Sequence, residues 1–209
     1  MISHEYGVIM VHVPFSGTDV FEDCYIRNNH EHCISSFDTR KLPKNEPLEG
    51  HSLGKTINQF YDYELFSVVK SPYLRAYEMW KKNQSKLKKL KIQKHDIGEY
   101  FENLLNGWDC VDGDKIKLQV DYLKSKNNSY FGYDNVDFEV NNLFHYETLM
   151  DNDFSEINEF LNNNGLNQLT YYVEPELNEK WREHYDKNSI EIINYIFEED
   201  FDYCGYRKI

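Results

Sequence analysis

The chain has 209 residues, of which 40% are hydrophobic and 16% aromatic, and its formal net charge is −13. This length and this apolar content predict one packed domain over residues 1–209 rather than a disordered or multi-domain chain. The acidic balance argues against general nucleic-acid binding. Neither a run of about 18 uncharged apolar residues nor a basic segment followed by an apolar core is present, so we expect no membrane span, no signal peptide, and a location in the cytoplasm or otherwise soluble inside the cell.

The first predicted element is a buried strand over residues 6–13. It ends in a turn made of Pro14, Phe15, Ser16, Gly17 and Thr18. Small residues in such a turn let backbone N–H groups approach an anion closely. A helical pattern follows, so the segment has the order strand, turn, helix. The turn is not a P-loop of the GxxxxGK(S/T) type, because that spacing and its lysine are both absent.

The stretch from 28 to 50 is predicted to be a long surface loop, a kind of segment that is often functional. Two cysteines and two histidines lie close together around its start, namely Cys24, His30, His32 and Cys33. Their spacing matches no common zinc-binding pattern, so we predict a polar loop and no metal site. A short helix capped by Ser52 is predicted to follow.

A second strand over residues 66–69 is followed by Lys70 and then, from Pro72, by a helical pattern that carries Arg75. Proline suits the first turn of a helix, because its missing N–H would have no intrahelical partner there. Two cations beside a helix N-terminus can bind a phosphate-like anion. The alternative is an ordinary strand–helix junction with surface cations. The presence of two strand–turn–helix segments in one chain favours the anion site.

Further helices and one more strand complete the pattern. They are a helix from Pro72 toward Gln93, a helix from Ile97 to Leu105 capped by Asp96 and Glu99, a strand over 142–145, a helix around 154–161 that stops at Gly165, and a final helix around 190–197. Strands separated by helices predict an α/β fold with a central parallel sheet flanked by helices.

Five segments resemble the sulfotransferases that use 3′-phosphoadenosine 5′-phosphosulfate (PAPS), particularly their carbohydrate-directed branch. The segments are His12–Thr18, Gly50–Leu53, Val68–Arg75, Leu143–Leu149 and Asp200–Tyr206, and they occur in the family's order over nearly the whole chain. The resemblance implies a single-domain P-loop-like fold, PAPS as the cofactor, and a hydroxyl-bearing acceptor that is a glycan or a small molecule.

The resemblance also implies roles for individual residues. Residues 14–18 would hold the 5′-phosphosulfate, and Lys70 and Arg75 would hold the 3′-phosphate. His51 matches the histidine that looks catalytic in uronyl 2-O-sulfotransferases, and an imidazole suits a base that takes the hydroxyl proton at neutral pH. The other interpretation of His51 is a surface histidine beside a helix.

Three positions depart from the family's pattern. Phe15 stands where family members have a lysine, or else the loop is one residue shorter and that lysine is deleted. Lys70 stands where they have an arginine, and Glu78 where they have a serine. Lys70 keeps the positive charge but not the bidentate fork of an arginine. The alternative function is therefore a catalytically impaired protein of the same fold that binds a nucleotide or a glycan.

Residues 81–94 contain seven lysines and no acidic residue. Such a run is usually a solvated helix face, and the alternative is a docking strip for an anionic or sugar acceptor. Four aromatic residues could stack on sugar rings, namely Tyr77, Trp80, Trp108 and Trp181, although aromatic residues at helical spacing more often belong to the core.

Overall fold

A computed structural model of the chain describes residues 2–3, 6–18, 20–21, 62–90, 95–106, 116–125, 138–170 and 179–209. The chain divides into two compact units, the first formed by residues 1–69 and 121–174 and the second by residues 70–120 and 175–209. The expectation of one domain over residues 1–209 stays a prediction. Within the described part, no helix is long and apolar enough to cross a membrane.

The elements are, in chain order, β1 (Ile2–Ser3), β2 (Val8–Met10), β3 (Glu64–Val69), α1 (Pro72–Leu90), α2 (Ile97–Leu105), α3 (Val120–Leu123), β4 (Lys124–Ser125), β5 (Phe138–Glu139), β6 (Asn142–His145), α4 (Tyr146–Met150), α5 (Ser155–Asn163), a 3₁₀ helix (Glu179–His184), α6 (Lys187–Ile196) and α7 (Glu198–Tyr203).

The first unit contains a four-stranded sheet in the order β1-β2-β3-β6. β1 pairs antiparallel with β2, whereas β2, β3 and β6 are parallel to one another. Four consecutive residues of β3, from Phe66 to Val69, are buried, as expected for a parallel strand covered on both faces. The predicted α/β class with a parallel sheet and helices is confirmed, as are the strands at 66–69 and 142–145.

The core of this sheet is aromatic. The ring of Phe66 lies 5.8 Å from Phe21, 6.2 Å from Phe144 and 5.1 Å from Phe160 between ring centroids. Phe160 belongs to α5, so this helix packs directly on the sheet. Such ring pairs add to the free energy of burial when they meet edge-on or offset.

The strand predicted over residues 6–13 is shorter in the structure, where β2 covers Val8–Met10. Gly7 has a φ of +62°, which ends the extended conformation on that side. On the other side, the Val11 N–H still donates to the Phe66 carbonyl at 2.8 Å before the chain turns.

The helices of the second unit begin where local signals place them. Proline occupies the first position of α1. The Asp96 carboxylate accepts a hydrogen bond from the Glu99 N–H at 2.7 Å and caps α2, which confirms the predicted cap. A Cβ atom at Gly98 would lie 3.3 Å from the Cβ atom of Ser189, so α2 and α6 approach closely there.

The helix predicted around 154–161 is α5, and its predicted stop is confirmed. Gly165 has a φ of +72°, and the Leu166 N–H donates to the Leu161 carbonyl at 2.8 Å, an arrangement that terminates helices. Several predictions lie outside the described residues, among them the surface loop at 28–50, the Cys24/His30/His32/Cys33 loop, the helix after Ser52, and the position of His51.

Candidate functional site

The side chains of the loop at residues 14–18 bond to the loop's own backbone. The Ser16 hydroxyl donates to the Val13 carbonyl at 2.8 Å, and the Thr18 hydroxyl donates to the same oxygen at 3.1 Å. Both residues are fully buried, whereas Pro14 and Phe15 are half-buried. The two hydroxyls therefore stabilise the turn, and a ligand at this loop would meet its backbone and the side chains of Pro14 and Phe15.

His12 is exposed, and its Nδ1 atom lies 2.8 Å from the Thr18 hydroxyl oxygen. Which of these two atoms donates depends on the tautomer of the ring, because the single Thr18 hydroxyl proton can go either to Nδ1 or to the Val13 carbonyl. In both cases the contact orients the His12 imidazole beside the loop.

Gly17 is required by a neighbouring ring. Its φ is +93°, and a Cβ atom there would lie 2.2 Å from Cδ2 of Tyr146. Tyr146 is the first residue of α4 and follows β6 directly. The loop after β2 and the residue after β6 therefore meet at the carboxyl edge of the sheet. In open parallel sheets, this is the edge where ligands bind.

Phe15 also has a left-handed backbone, with a φ of +63°. This conformation is uncommon for a bulky residue and is found where the surrounding structure enforces it. Phe15 is the position at which the resemblance places a sulfate-binding lysine. The loop therefore has a strained backbone at this position, and the side chain there is an uncharged ring.

In the second unit, the Lys70 ammonium is bound by both carboxylate oxygens of Glu78, at 2.8 and 2.9 Å. The Lys70 side chain is 3% exposed and that of Glu78 is 33% exposed. Glu78, which stands where the family has a serine, therefore forms an ion pair with Lys70.

The backbone of Lys70 is held by one side chain. The Lys70 N–H donates to the Gln119 side-chain oxygen at 3.1 Å, and the Gln119 amide nitrogen donates to the Lys70 carbonyl at 2.8 Å. In a β-sheet, the backbone of a neighbouring strand would bond to these N–H and carbonyl groups, and here the Gln119 side chain does so. Nothing in the sequence pointed to Gln119, because it lies 49 positions from Lys70 and matches no motif.

Arg75 is 2% exposed and lies among internal partners. Its Nη2 atom donates to the Lys117 carbonyl at 2.9 Å, and its Nη1 atom lies 3.7 Å from the Asp200 carboxylate. Asp200 is fully buried and accepts the backbone N–H groups of Gln119 and Val120, both at 2.9 Å. The guanidinium and the carboxylate neutralise each other inside this unit.

The segment Asp200–Tyr206 stands out in the sequence only as a motif, and the structure shows what its first residue, Asp200, contacts. Asp200 joins α7 to the start of α3 and holds Arg75. Burial, with a smaller effect of the Asp200 carboxylate, also raises the pKa of the Cys204 thiol to about 12. Asp200 therefore organises the buried polar groups around it.

Aromatic residues from α1 and the 3₁₀ helix meet in a second cluster. The Trp80 ring lies 5.0 Å from His184, and Trp181 stacks on Tyr73 at 6.4 Å with an interplanar angle of 15°. The Arg182 guanidinium lies 4.9 Å from the Trp181 ring centroid. Both tryptophans are half-buried. Of the four residues that could stack on sugars, Tyr77 is buried against Trp80 and His184, and Trp108 lies outside the described residues.

The chain matches no protein-family model, no curated protein and no solved structure.

Proposed function

We propose that this chain is a PAPS-dependent sulfotransferase with a P-loop-like α/β fold that transfers a sulfuryl group to the hydroxyl of a carbohydrate. The observation that carries the proposal is the loop at residues 14–18. It follows a parallel strand, it lies at the carboxyl edge of the sheet, and its glycine is packed against Tyr146. Such a loop can present backbone donors to a phosphosulfate.

The reaction requires an in-line exchange at sulfur. The bond between sulfur and the 5′-phosphate oxygen breaks, a bond from sulfur to the acceptor oxygen forms, and the acceptor's proton passes to a base. The products are the sulfated acceptor and 3′-phosphoadenosine 5′-phosphate. Positioning and charge stabilisation dominate catalysis of such transfers, as they do for phosphoryl groups.

Two histidines are candidates for the base. His51 is assigned by the resemblance. His12 is the second candidate, because the contact between its Nδ1 atom and the Thr18 hydroxyl orients the imidazole beside the loop.

The carbohydrate acceptor is supported by the cluster around Trp80 and Trp181. Trp80 and Trp181 are half-buried indoles that a sugar ring can contact, and the Arg182 guanidinium beside Trp181 supplies a positive charge. Replacement of Trp181 with alanine is expected to raise the KM for the acceptor with little effect on nucleotide affinity.

The second candidate is a catalytically impaired protein of this fold that binds a nucleotide or a glycan. Two observations favour it, namely the ring of Phe15 at the expected lysine position and the ion pair between Lys70 and Glu78. This candidate differs from the first in having no turnover, and the form of it that binds only a glycan also has no affinity for the nucleotide.

Calorimetry with 3′-phosphoadenosine 5′-phosphate and adenosine 5′-phosphate tests the cofactor. One charge-assisted hydrogen bond to the 3′-phosphate contributes about 1.5–3 kcal/mol, so we expect at least a tenfold preference for the bisphosphate. Equal affinity for the two nucleotides would exclude PAPS as the donor. Transfer of labelled sulfuryl groups from PAPS to a set of sugars then separates the enzyme from the impaired protein.

A further inference from the structure

The contact between Lys70 and Glu78 has the geometry of an occupied anion site. Both carboxylate oxygens face one ammonium, at 2.8 and 2.9 Å. A phosphate or sulfate ester also presents several anionic oxygens to a cation. The carboxylate of Glu78 therefore holds the position that such an ester would take on Lys70.

The two members of this ion pair differ in how they are anchored. Gln119 binds both the N–H and the carbonyl of Lys70, and Asp200 in turn binds the Gln119 N–H. The backbone of Lys70 is therefore held in place. The Lys70 side chain is 3% exposed. Glu78 lies on α1 with a third of its side chain exposed. The Glu78 carboxylate is therefore the more exposed partner and the one with room to move toward solvent.

We propose that Glu78 is an intramolecular competitor for the anion site of Lys70, and that a phosphate ester binds Lys70 by displacing the Glu78 carboxylate. The inference rests on the proposed function only where it takes the nucleotide 3′-phosphate as the natural ligand. The occupied state keeps a buried ammonium neutralised when no ligand is present, since an unpaired buried charge is strongly destabilising.

The test compares wild-type protein with Glu78→Gln, which removes the negative charge and keeps an oxygen acceptor for Lys70. The matched control is Glu191→Gln, because Glu191 forms an exposed ion pair with Lys187 at 3.8 Å on α6. The double variant Lys70→Met/Glu78→Gln removes the cation as well. Inorganic phosphate and 3′-phosphoadenosine 5′-phosphate are titrated by calorimetry, and melting temperatures are measured with and without each probe.

We expect Glu78→Gln to bind both probes about tenfold more tightly than wild type, and Glu191→Gln to bind them with wild-type affinity. Without ligand, Glu78→Gln should melt at a lower temperature, and phosphate should raise its melting temperature more than that of wild type. The double variant should lose the gain in affinity.

Wild-type affinity of folded Glu78→Gln for both probes would overturn the proposal, even if the bisphosphate were still preferred over adenosine 5′-phosphate. Tighter phosphate binding without that preference would support the competitor and exclude the cofactor. If Glu78→Gln does not fold, Glu78→Asp keeps the charge and retracts it by one methylene. Unchanged phosphate affinity in that variant would overturn the proposal equally.

Discussion

Gly17 is subject to two constraints that act on the same atom. Its φ of +93° disfavours any L side chain, and a Cβ atom would overlap the ring of Tyr146 at 2.2 Å. Gly205 shares only the first constraint, since its φ is +74° and nothing lies within 4 Å of a Cβ atom there. A comparison of alanine substitutions at these two positions therefore distinguishes the cost of backbone strain from the cost of steric overlap.

We expect Gly17→Ala to destabilise the protein by roughly 2–5 kcal/mol, because strain and overpacking combine. Gly205→Ala should cost only about 1–2 kcal/mol, the backbone contribution. Urea denaturation of both variants measures the difference. Equal losses would show that the ring of Tyr146 moves aside without cost.

The buried thiol of Cys204 makes the free energy of unfolding depend on pH in the alkaline range. Its folded pKa is about 12, above the ordinary thiol value, so the unfolded chain releases the thiol proton first. The stabilising contribution is complete below about pH 9 and is lost as the pH rises toward 12.

The free energy of unfolding should fall by up to about 1.4 kcal/mol per pH unit above pH 9. Cys204→Ser should remove this part of the slope. Burial also raises the pKa of Tyr185 above its ordinary value, so the difference between wild type and the serine variant isolates the thiol. Parallel pH profiles of the two proteins would contradict the assignment.

At the scale of elements, helix starts follow from short-range chemistry, and the contacts between elements do not. Asp96 caps α2 through a residue three positions away, and this cap was predicted from the sequence. Asp200 acts instead on the backbone of Gln119 and Val120, about 80 positions earlier. The carboxylate of α7 thus determines where the segment before α3 lies within its unit.

Replacement of Asp200 with alanine should leave two buried N–H groups unpaired and Arg75 without its counter-charge. We expect a loss of at least about 3–5 kcal/mol, which would unfold many domains of this size. Asp202→Ala, at an exposed position of the same helix, is the matched control and should be close to neutral. Similar melting temperatures for both variants would mean that the buried network contributes little.

At the scale of the whole molecule, the chain is strongly acidic, and carboxylates pair with the two cations that the proposed function assigns to the nucleotide. The net charge is −13, yet Lys70 and Arg75 are both buried and neutralised by carboxylates. Each ion pair removes local positive charge that would otherwise attract an anion. We therefore expect nucleotide binding to be weaker than two unpaired cations would produce.

Measurements of turnover test which histidine is the catalytic base of the proposed reaction. If His51 is the base, His51→Ala should lower turnover by about 10²–10⁴-fold and leave affinity for 3′-phosphoadenosine 5′-phosphate almost unchanged. His12→Ala is the parallel variant, and its loss of turnover should be the larger one if the imidazole beside Thr18 is the base. Initial rates with PAPS and a sugar acceptor distinguish the two.

The sequence by itself determined the parallel strands at 66–69 and 142–145, the start of α1 at Pro72 and the cap of α2, because each depends on residues within one turn or on a continuous apolar run. Only the tertiary structure decided which partners the cations take. Glu78 reaches Lys70 across a strand–helix junction, and Asp200 meets Arg75 from the far end of the chain. Buried charges are paired wherever the fold brings a counter-charge within reach, and that distance is a property of packing rather than of any local pattern.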